Sequence, residues 1–375
     1  MGNYLKKLFR FRTVLNILTV SALVSLILSY LASYIHPESL SLLPFFGLAY
    51  WLIFAANVTL LFFWALKKSR WTIAILFVLL LGGRLHFRTF AFGSDEEATD
   101  NTELHIMSYN VHLFDRYNSN RNDSYETKRK ILEYIEERNP DVVCFQEFYH
   151  QDAPTSFVTK DTILKIMDTK HYHERFAHKL AGRQNFGVAM FSKYRIIEKG
   201  NVNFQEHKGN YNYCIYADIV KGVDTFRVYN VHLQSIRLQK DEYAVFDPET
   251  VSNGDQSTNI IKLISKIRNA YPIRALQAEM IQEHMAESPY QVIVCGDFND
   301  TPVSYTYNKF SSSLTDAFRN TSKGIGATYA GKIPVMRIDY IFHSKELGSR
   351  EFIVQKDKLS DHYAIDCKVF VKDLD

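Results

Sequence analysis

The sequence predicts an α/β sandwich, sheets inside and helices outside, preceded by transmembrane α-helices. Three observations carry that expectation. The pentapeptide YNVHL occurs at 109–113 and again at 229–233. Each copy is followed by a helix-like stretch, YETKRKILEYIEER (125–138) or RALQAEMIQEHM (274–285), and then by an apolar strand-like run ending in acid. Those runs are VVCFQEF (142–148), with Glu147, and VIVCGDFND (292–300), with Asp297. Ahead of both halves lie apolar stretches without charge, of membrane-spanning length.

Residues 13–35 carry no formal charge over 23 positions, and residues 42–66 none over 25. At 1.5 Å per residue, each can cross a hydrocarbon core of about 30 Å. A third run, WTIAILFVLLLGG (71–83), ends where Arg84, His86 and Arg88 intervene, and reads as a span continuing to about Phe92. The first run is too long for a signal peptide. MGNYLK lacks the hydroxyl residue at position six that myristoylation requires. Lys6, Lys7, Arg10 and Arg12 keep the N-terminus cytoplasmic, and KKSR (67–70) returns the chain there. Three spans then export the large C-terminal domain, whereas two leave it in the cytoplasm; export is the expectation, with the protein integral to the cell's inner or plasma membrane. The domain plan is a membrane anchor over 1–93, with two to three transmembrane helices near 13–35, 42–66 and 71–92. An acidic linker occupies 94–102, and one large domain fills 103–375.

The overall net charge of +3 divides unevenly. Residues 1–93 hold nine of the 44 Lys and Arg but one of the 41 acids, Glu38, so the remainder carries 35 basic and 40 acidic residues, a net of −5. The large domain lacks the bulk basic footprint of a strong nonspecific nucleic-acid binder. Cys144, Cys214, Cys295 and Cys367 lie far apart in apolar runs without metal-ligand spacing, and read as small buried hydrophobes.

Further strand signals are GVAMFSKYRI (187–196), YNYCIYADIV (211–220), RVYNVHL (227–233), RIDYIFHS (337–344) and AIDCKVFV (364–371). Asn110 and Glu147 stand 37 residues apart, but Asn230 and Asp297 stand 67 apart, so residues 236–272 read as an insertion. Its place just beyond His232 makes it a candidate lid or a passive surface excursion. Polar residues stand at the ends of apolar strands: Asn110, Glu147, His232, Asp297 with Asn299, Asp339, and Asp361 with His362. Burying that many acids without partners is costly. Where they meet, a hard divalent ion is the natural solution, and oxygen donors without a Cys cluster favour Mg²⁺ or Mn²⁺ over zinc. Such a donor set outlines a phosphate-ester site.

The ordered set YNVHLF, FQEF, GVAMFSKYRI, YNVHLQS, GDFND, RIDYIF and SDHYA resembles the endonuclease/exonuclease/phosphatase superfamily over residues 103–372. The resemblance implies a four-layered α/β sandwich of two packed mixed sheets flanked by helices, and a Mg²⁺-dependent phosphoesterase. It also implies pseudosymmetric halves whose two YNVHL strands point into one cleft. By motif, Glu147 would be the main metal ligand, Asn110 would stand near the metal-bound water, and Asp361 would support the metal or the catalytic His. Asp297 would orient or deprotonate the attacking water, and Asn299 would hold that water or a phosphate oxygen. His362 would act with Asp339, and His232 would hydrogen-bond the phosphoryl oxygens. Whether Asp297 or His362 is the base stays open. Where some nuclease members carry an acid two residues after the first Asn, this chain has His112, which reads as structural.

The expected substrate is a phosphodiester, hydrolysed by a monomeric enzyme. Nuclease-like action on nucleic acid comes first. The alternative is a lipid phosphodiesterase of sphingomyelinase type or an inositol-type phosphatase, favoured by the anchor and the acidic domain. A catalytically dead binding protein comes last, because every expected catalytic position is filled.

Overall fold

A computed structural model describes residues 2–97, 102–117, 124–155, 157–204, 212–236, 256–331 and 335–373. Its N-terminal part is helical: α1 (Gly2–Leu31), α2 (Leu43–Leu48), α3 (Tyr50–Leu66), α4 (Trp71–Leu81) and α5 (Gly83–Thr89). Side chains fix an up-down-up order for α1, α3 and α4. Trp64 and Trp71 donate their indole N–H to Thr19 (2.9 Å) and Asn16 (3.1 Å), and Asn57 donates to the Ala22 carbonyl (3.0 Å). At the other end Tyr30 donates to the Val78 carbonyl (3.3 Å). In a segment this apolar, such polar contacts set register more than they stabilise.

The strands run in the order β1 (Ala91–Phe92), β2 (Glu103–Asn110), β3 (Val142–Gln151), β4 (His171–Leu180), β5 (Gln184–Ser192), β6 (Arg195–Val202), β7 (Tyr213–Lys221) and β8 (Asp224–His232). After them come β9 (Gln291–Asp297), β10 (Thr315–Asp316), β11 (Lys323–Gly324), β12 (Asp339–His343), β13 (Leu347–Val354) and β14 (Ile365–Val371). One sheet runs β13-β14-β2-β3-β5-β4 and the other β10-β12-β9-β8-β7-β6. In each sheet the strand bearing YNVHL pairs in parallel with the acid-ending strand, β2 with β3 and β8 with β9. Read from opposite ends, the two orders superpose strand for strand, so the halves are pseudosymmetric.

Period-2 alternation sorts the side chains between layers. Ile106, Val142, Cys144 and Met190 of the first sheet meet Ile215, Val228, Ile293 and Cys295 of the second in the central core. The opposite face of the first sheet, including Val143 and Phe145, packs on Ile131 and Ile135 of α6 (Ser124–Arg138) and Ile163 of α7 (Thr159–Ile166). Val231 and Val294 of the second pack on Ala278 and Ile281 of α8 (Gln256–Ala286) and Phe310 of α9 (Tyr305–Ser313). The result is helix, sheet, sheet, helix. A short α10 (Ala317–Thr321) comes after β10. All four cysteines are buried and free.

Several sequence expectations are corrected. The first helix ends at Leu31, not residue 35. The run 42–66 is divided at Ala49 into α2 and α3; α2 seats against the sandwich, where a Cβ on Gly47 would lie 2.4 Å from the Val303 carbonyl oxygen. The run 71–92 turns by 64° between α4 and α5, at the Gly82–Gly83 pair. It then ends as strand, since Ala91–Phe92 pairs with Lys323–Gly324. Arg88, within that run, is buried against the sandwich: it donates to Asn308 Oδ1 (2.6 Å) and stands over the Tyr307 ring. Among the described residues one helix segment, Arg12–Leu31, is long and apolar enough alone to cross a membrane, and the bent pair adds a second candidate. The acidic segment expected as a linker is pinned where it is described. Asp95 accepts from the Glu351 N–H (2.7 Å) and Glu96 from Asn320 Nδ2 (2.5 Å). GVAMFSKYRI holds two strands, β5 and β6, with a turn at Lys193–Tyr194. Of the 236–272 segment, residues 237–255 lie outside the described residues, and 256–272 extend α8 rather than forming loop.

Candidate active site

Several candidate side chains owe their position to a local interruption of regular structure, and others to the end of a regular ladder. Glu147 sits at a β-bulge, where the β3–β5 register shifts between Phe145 and Phe148, with φ +50. A bulge re-aims one side chain, and here it turns Glu147 to the end of the sandwich where β2, β8 and β9 also finish. Asp297 comes directly after Gly296, whose φ of +146 and approach to β8, where a Cβ would stand 1.9 Å from the Val231 carbonyl oxygen, exclude any side chain. Asn299, at φ +53, occupies the left-handed region that Asn tolerates. Asp339 opens β12 directly opposite Asp297 in the antiparallel ladder.

The residues converge across both sheets. Asn110 donates to Asp297 Oδ2 (3.0 Å), and Asn299 donates to the same carboxylate from its N–H (2.8 Å) and its Nδ2 (3.1 Å). His362 Nδ1 bonds the Asp339 carboxylate (3.0 Å), while its Nε2 lies 3.7 Å from Asp297 Oδ2. His232 Nε2 stands 3.8 Å from both Glu147 Oε1 and Asp297 Oδ2. Asp361 is further out, its Oδ1 3.9 Å from His112 Nδ1. Thus all eight sequence-selected residues gather at one end of the sandwich, with Glu147 and Asp361 the more exposed members.

Electrostatics divides the cluster in two. Burial pushes the Asp297 carboxyl up to about 6; His362 opposes the rise and Asp339 adds to it. Burial alone would lower His362, but the Asp339 and Asp297 carboxylates overturn that and hold it well above an ordinary histidine. This half is an imidazolium shared by two carboxylates. Glu147 is raised by burial and then by Asp361, with His112 and His362 in opposition. Among the described residues, the ion-pair partners of Glu147, Asp297, Asp339 and Asp361 are all histidines. The donor atoms of Asp297, Asp339 and His362 lie within 4.8 Å of one another, a grouping able to hold a metal ion. In that trio the His362 imidazolium offsets one of two carboxylates, whereas Glu147 and Asp361 bring two carboxylates together, each raising the cost of the other's charge.

Sequence reasoning missed the residues that position these groups. Thr328 Oγ1 accepts from the Ile338 and Asp339 N–H groups (3.0 and 3.1 Å), and the Tyr329 ring meets His362 edge-on at 5.5 Å. Ser360 ties its hydroxyl to the Asn110 carbonyl (2.8 Å). Behind the cleft, fully buried Arg274 reaches Asp300 (3.2 Å) and donates to the Gln234 carbonyl (3.0 Å), joining the segments after Asp297 and His232. Asp300 and Ser360 belong to motifs already singled out. Thr328 and Tyr329 have no sequence signal, because their role arises from a long-range bridge, Tyr329 to His362.

The Endonuclease/Exonuclease/phosphatase family model matches residues 107–362. A Domain of unknown function (DUF8431) matches residues 6–89. No curated protein matches the chain. Among solved structures, the fold is similar to an endonuclease/exonuclease/phosphatase family protein from Bacteroides thetaiotaomicron, with TM-score 0.52 and 17% identity, covering 73% of this chain and 100% of that one. The endonuclease/exonuclease/phosphatase from Bacteroides vulgatus gives 0.51 and 16%, covering 72% and 100%. A family protein from Leptotrichia buccalis gives 0.50 and 20%, covering 71% and 99%. On this match over most of its length, and on a sandwich of the same architecture, the chain belongs to the Endonuclease/Exonuclease/phosphatase family and carries that family's phosphoesterase fold.

Proposed function

We propose that the chain is a membrane-anchored, divalent-metal-dependent phosphodiesterase that hydrolyses its substrate by attack of water. The observation that carries this reading is the meeting of an acid-rich half-site, Glu147 with Asp361, and a half-site in which one imidazolium, His362, stands between two carboxylates, Asp297 and Asp339, at one cleft. Glu147, with Asn110 and Asp361 beside it, offers the oxygen donors that suit Mg²⁺ or Mn²⁺. Such an ion, when bound, polarises a phosphoryl oxygen and offsets charge in the transition state. Asp297, whose Oδ2 accepts from Asn110 and Asn299 and lies 3.7 Å from His362 Nε2, orients water and takes its proton. His362, kept charged by Asp339, and His232 donate to phosphoryl oxygens as negative charge grows there.

The anchor reading is supported by the bundle. In its up-down-up order, Arg12, Lys67, Lys68 and Arg70 lie at the end remote from the sandwich. The positive-inside rule then favours a cytoplasmic N-terminus and an extracytoplasmic catalytic domain. The test of activity is hydrolysis of bis(p-nitrophenyl) phosphate by the full chain in detergent. Turnover should require Mg²⁺ or Mn²⁺, vanish with EDTA, and be lost in His362→Ala; metal-independent turnover contradicts the reading. A reporter fused after residue 100 should be active outside the cytoplasm, and cytoplasmic activity would overturn the topology.

A further inference from the structure

Three of the strand ends that build the cleft continue directly into segments seated on the N-terminal helices. After β8, Ile236 joins Phe45 and Leu48 of α2 against Leu263, Ile267 and Tyr271 of α8. After β9, Val303 packs with Leu26, Tyr30, Tyr50 and Leu85. Before β12, Arg337 donates to the Arg88 carbonyl (2.8 Å). Between these seats lies a cavity of about 170 Å³. Leu48, Trp51, Leu52, Pro302, Val303 and Met336 form much of its wall, and Thr301 and Arg337 stand at its inner side, next in the chain to the Asp297–Asp300 and Asp339 motifs. Leu52 is 77% exposed, so this wall also faces outward on the apolar flank of the bundle. The apolar surface runs on across Ile260, Ile261 and Ile264, exposed on α8 beside its contact with α2. Two buried polar atoms at the cavity, Thr301 Oγ1 and Arg337 Nε, make no hydrogen bond.

We propose that this cavity takes the hydrocarbon chain of a bilayer amphiphile whose phosphodiester reaches the Asp297–His362 cleft. The substrate class is then a membrane lipid phosphodiester rather than a nucleic acid, an inference that rests on the membrane-anchored phosphodiesterase reading. The occupant is argued from the two walls: the outer one is the flank of helices that would meet lipid, and the inner one is built from Thr301, which follows Asp300 in the chain, and Arg337, which comes two residues before Asp339. A soluble phosphodiester has no use for an apolar chamber at that place.

The test uses the full chain in phosphatidylcholine nanodiscs with Mn²⁺, given methyl or hexyl p-nitrophenyl phosphate, two soluble diesters with one leaving group. Burial of the additional methylenes should raise kcat/KM for the hexyl ester by roughly tenfold or more over the methyl ester. Leu48→Trp, which fills the cavity, should bring the ratio to within about twofold of one. Val335→Trp at the rim serves the same purpose should Leu48→Trp melt early. A wild-type ratio near one, or a ratio unchanged in a folded cavity variant, overturns the lipid inference and leaves the phosphodiesterase reading standing. Nicking of supercoiled DNA far faster than either ester, with that ratio near one, would put nucleic acid in its place. Hydrolysis of neither ester nor DNA overturns the phosphodiesterase reading, and the lipid inference with it.

Discussion

Asn110 and Asn230 hold the same place in two identical pentapeptides, and so do His112 and His232. β2 ends at Asn110, and the four residues His112–Asp115 run at φ between +43 and +57, which carries His112 out to a half-exposed rim. β8 continues two residues further, because His232 still pairs with Tyr213 on one side and Asp297 on the other. His232 therefore lands in the cleft. The asparagines exchange roles in the opposite sense. Asn110 touches Asp297, whereas Asn230 is buried between the sheets, donating to the Phe145 and Ala189 carbonyls (3.0 and 2.9 Å) and accepting from Gln146 (2.7 Å). A repeated sequence thus specifies the strand, while the length of the ladder beyond it decides which polar residue faces chemistry.

The largest effect that would sharpen this contrast is on turnover. His232→Ala should lower kcat by about 10²–10³, the usual loss when one donor to a developing oxyanion is removed. His112→Ala should stay within a few-fold of wild type. Equal losses, read with bis(p-nitrophenyl) phosphate, would break the comparison. Next comes stability. Asn230→Ala strands a buried amide donor and two carbonyls, and should cost roughly 3 kcal/mol in thermal or denaturant unfolding of the full chain. Asn110→Ala should cost less stability and more activity.

Asp297 supplies a pH-dependent test. Its carboxyl titrates at about 6 instead of 3.8, so the folded state holds its proton over a window in which the unfolded chain has released it. The stability this group provides is complete below pH 3.8 and lost as pH rises through about 6. In EDTA, Asp297→Asn should accordingly stabilise the full chain above pH 6, by up to about 3 kcal/mol, and change little below pH 4. Activity should move the other way: kcat/KM of the wild type rises through about pH 6 as Asp297 ionises, and falls above neutrality where His362 loses its proton. An activity plateau extending unchanged to pH 4 would contradict the base assignment.

The legible part of this molecule was local. Apolar runs ending in Glu147 and Asp297, and the polar residues Asn110, His232, Asp339 and His362 at the ends of other strand-like runs, are patterns within ten residues, and the structure brings all of them together. The features that escaped reading depend on contacts far along the chain. The polar, histidine-rich β4 forms because β5 pairs with it from His171 to Leu180. Arg88 looked like the end of a span until Asn308, 220 residues away, supplied its partner. The division between α2 and α3 lies beside the seat of Gly47 on Val303, 256 residues away, a contact that Pro44 and Gly47 in LLPFFGLAYW leave open but do not specify.

The proposed mechanism gives metal binding to the half containing Glu147 and water activation to the half containing Asp297. Calorimetric titration of Mn²⁺ into the full chain, beside turnover in the same samples, tests that division directly. Glu147→Gln should weaken Mn²⁺ binding by about 10–100-fold or more and lose turnover with it. Asp297→Asn should bind Mn²⁺ as wild type does and still fail to turn over. Equal loss of Mn²⁺ binding in both variants would contradict the division.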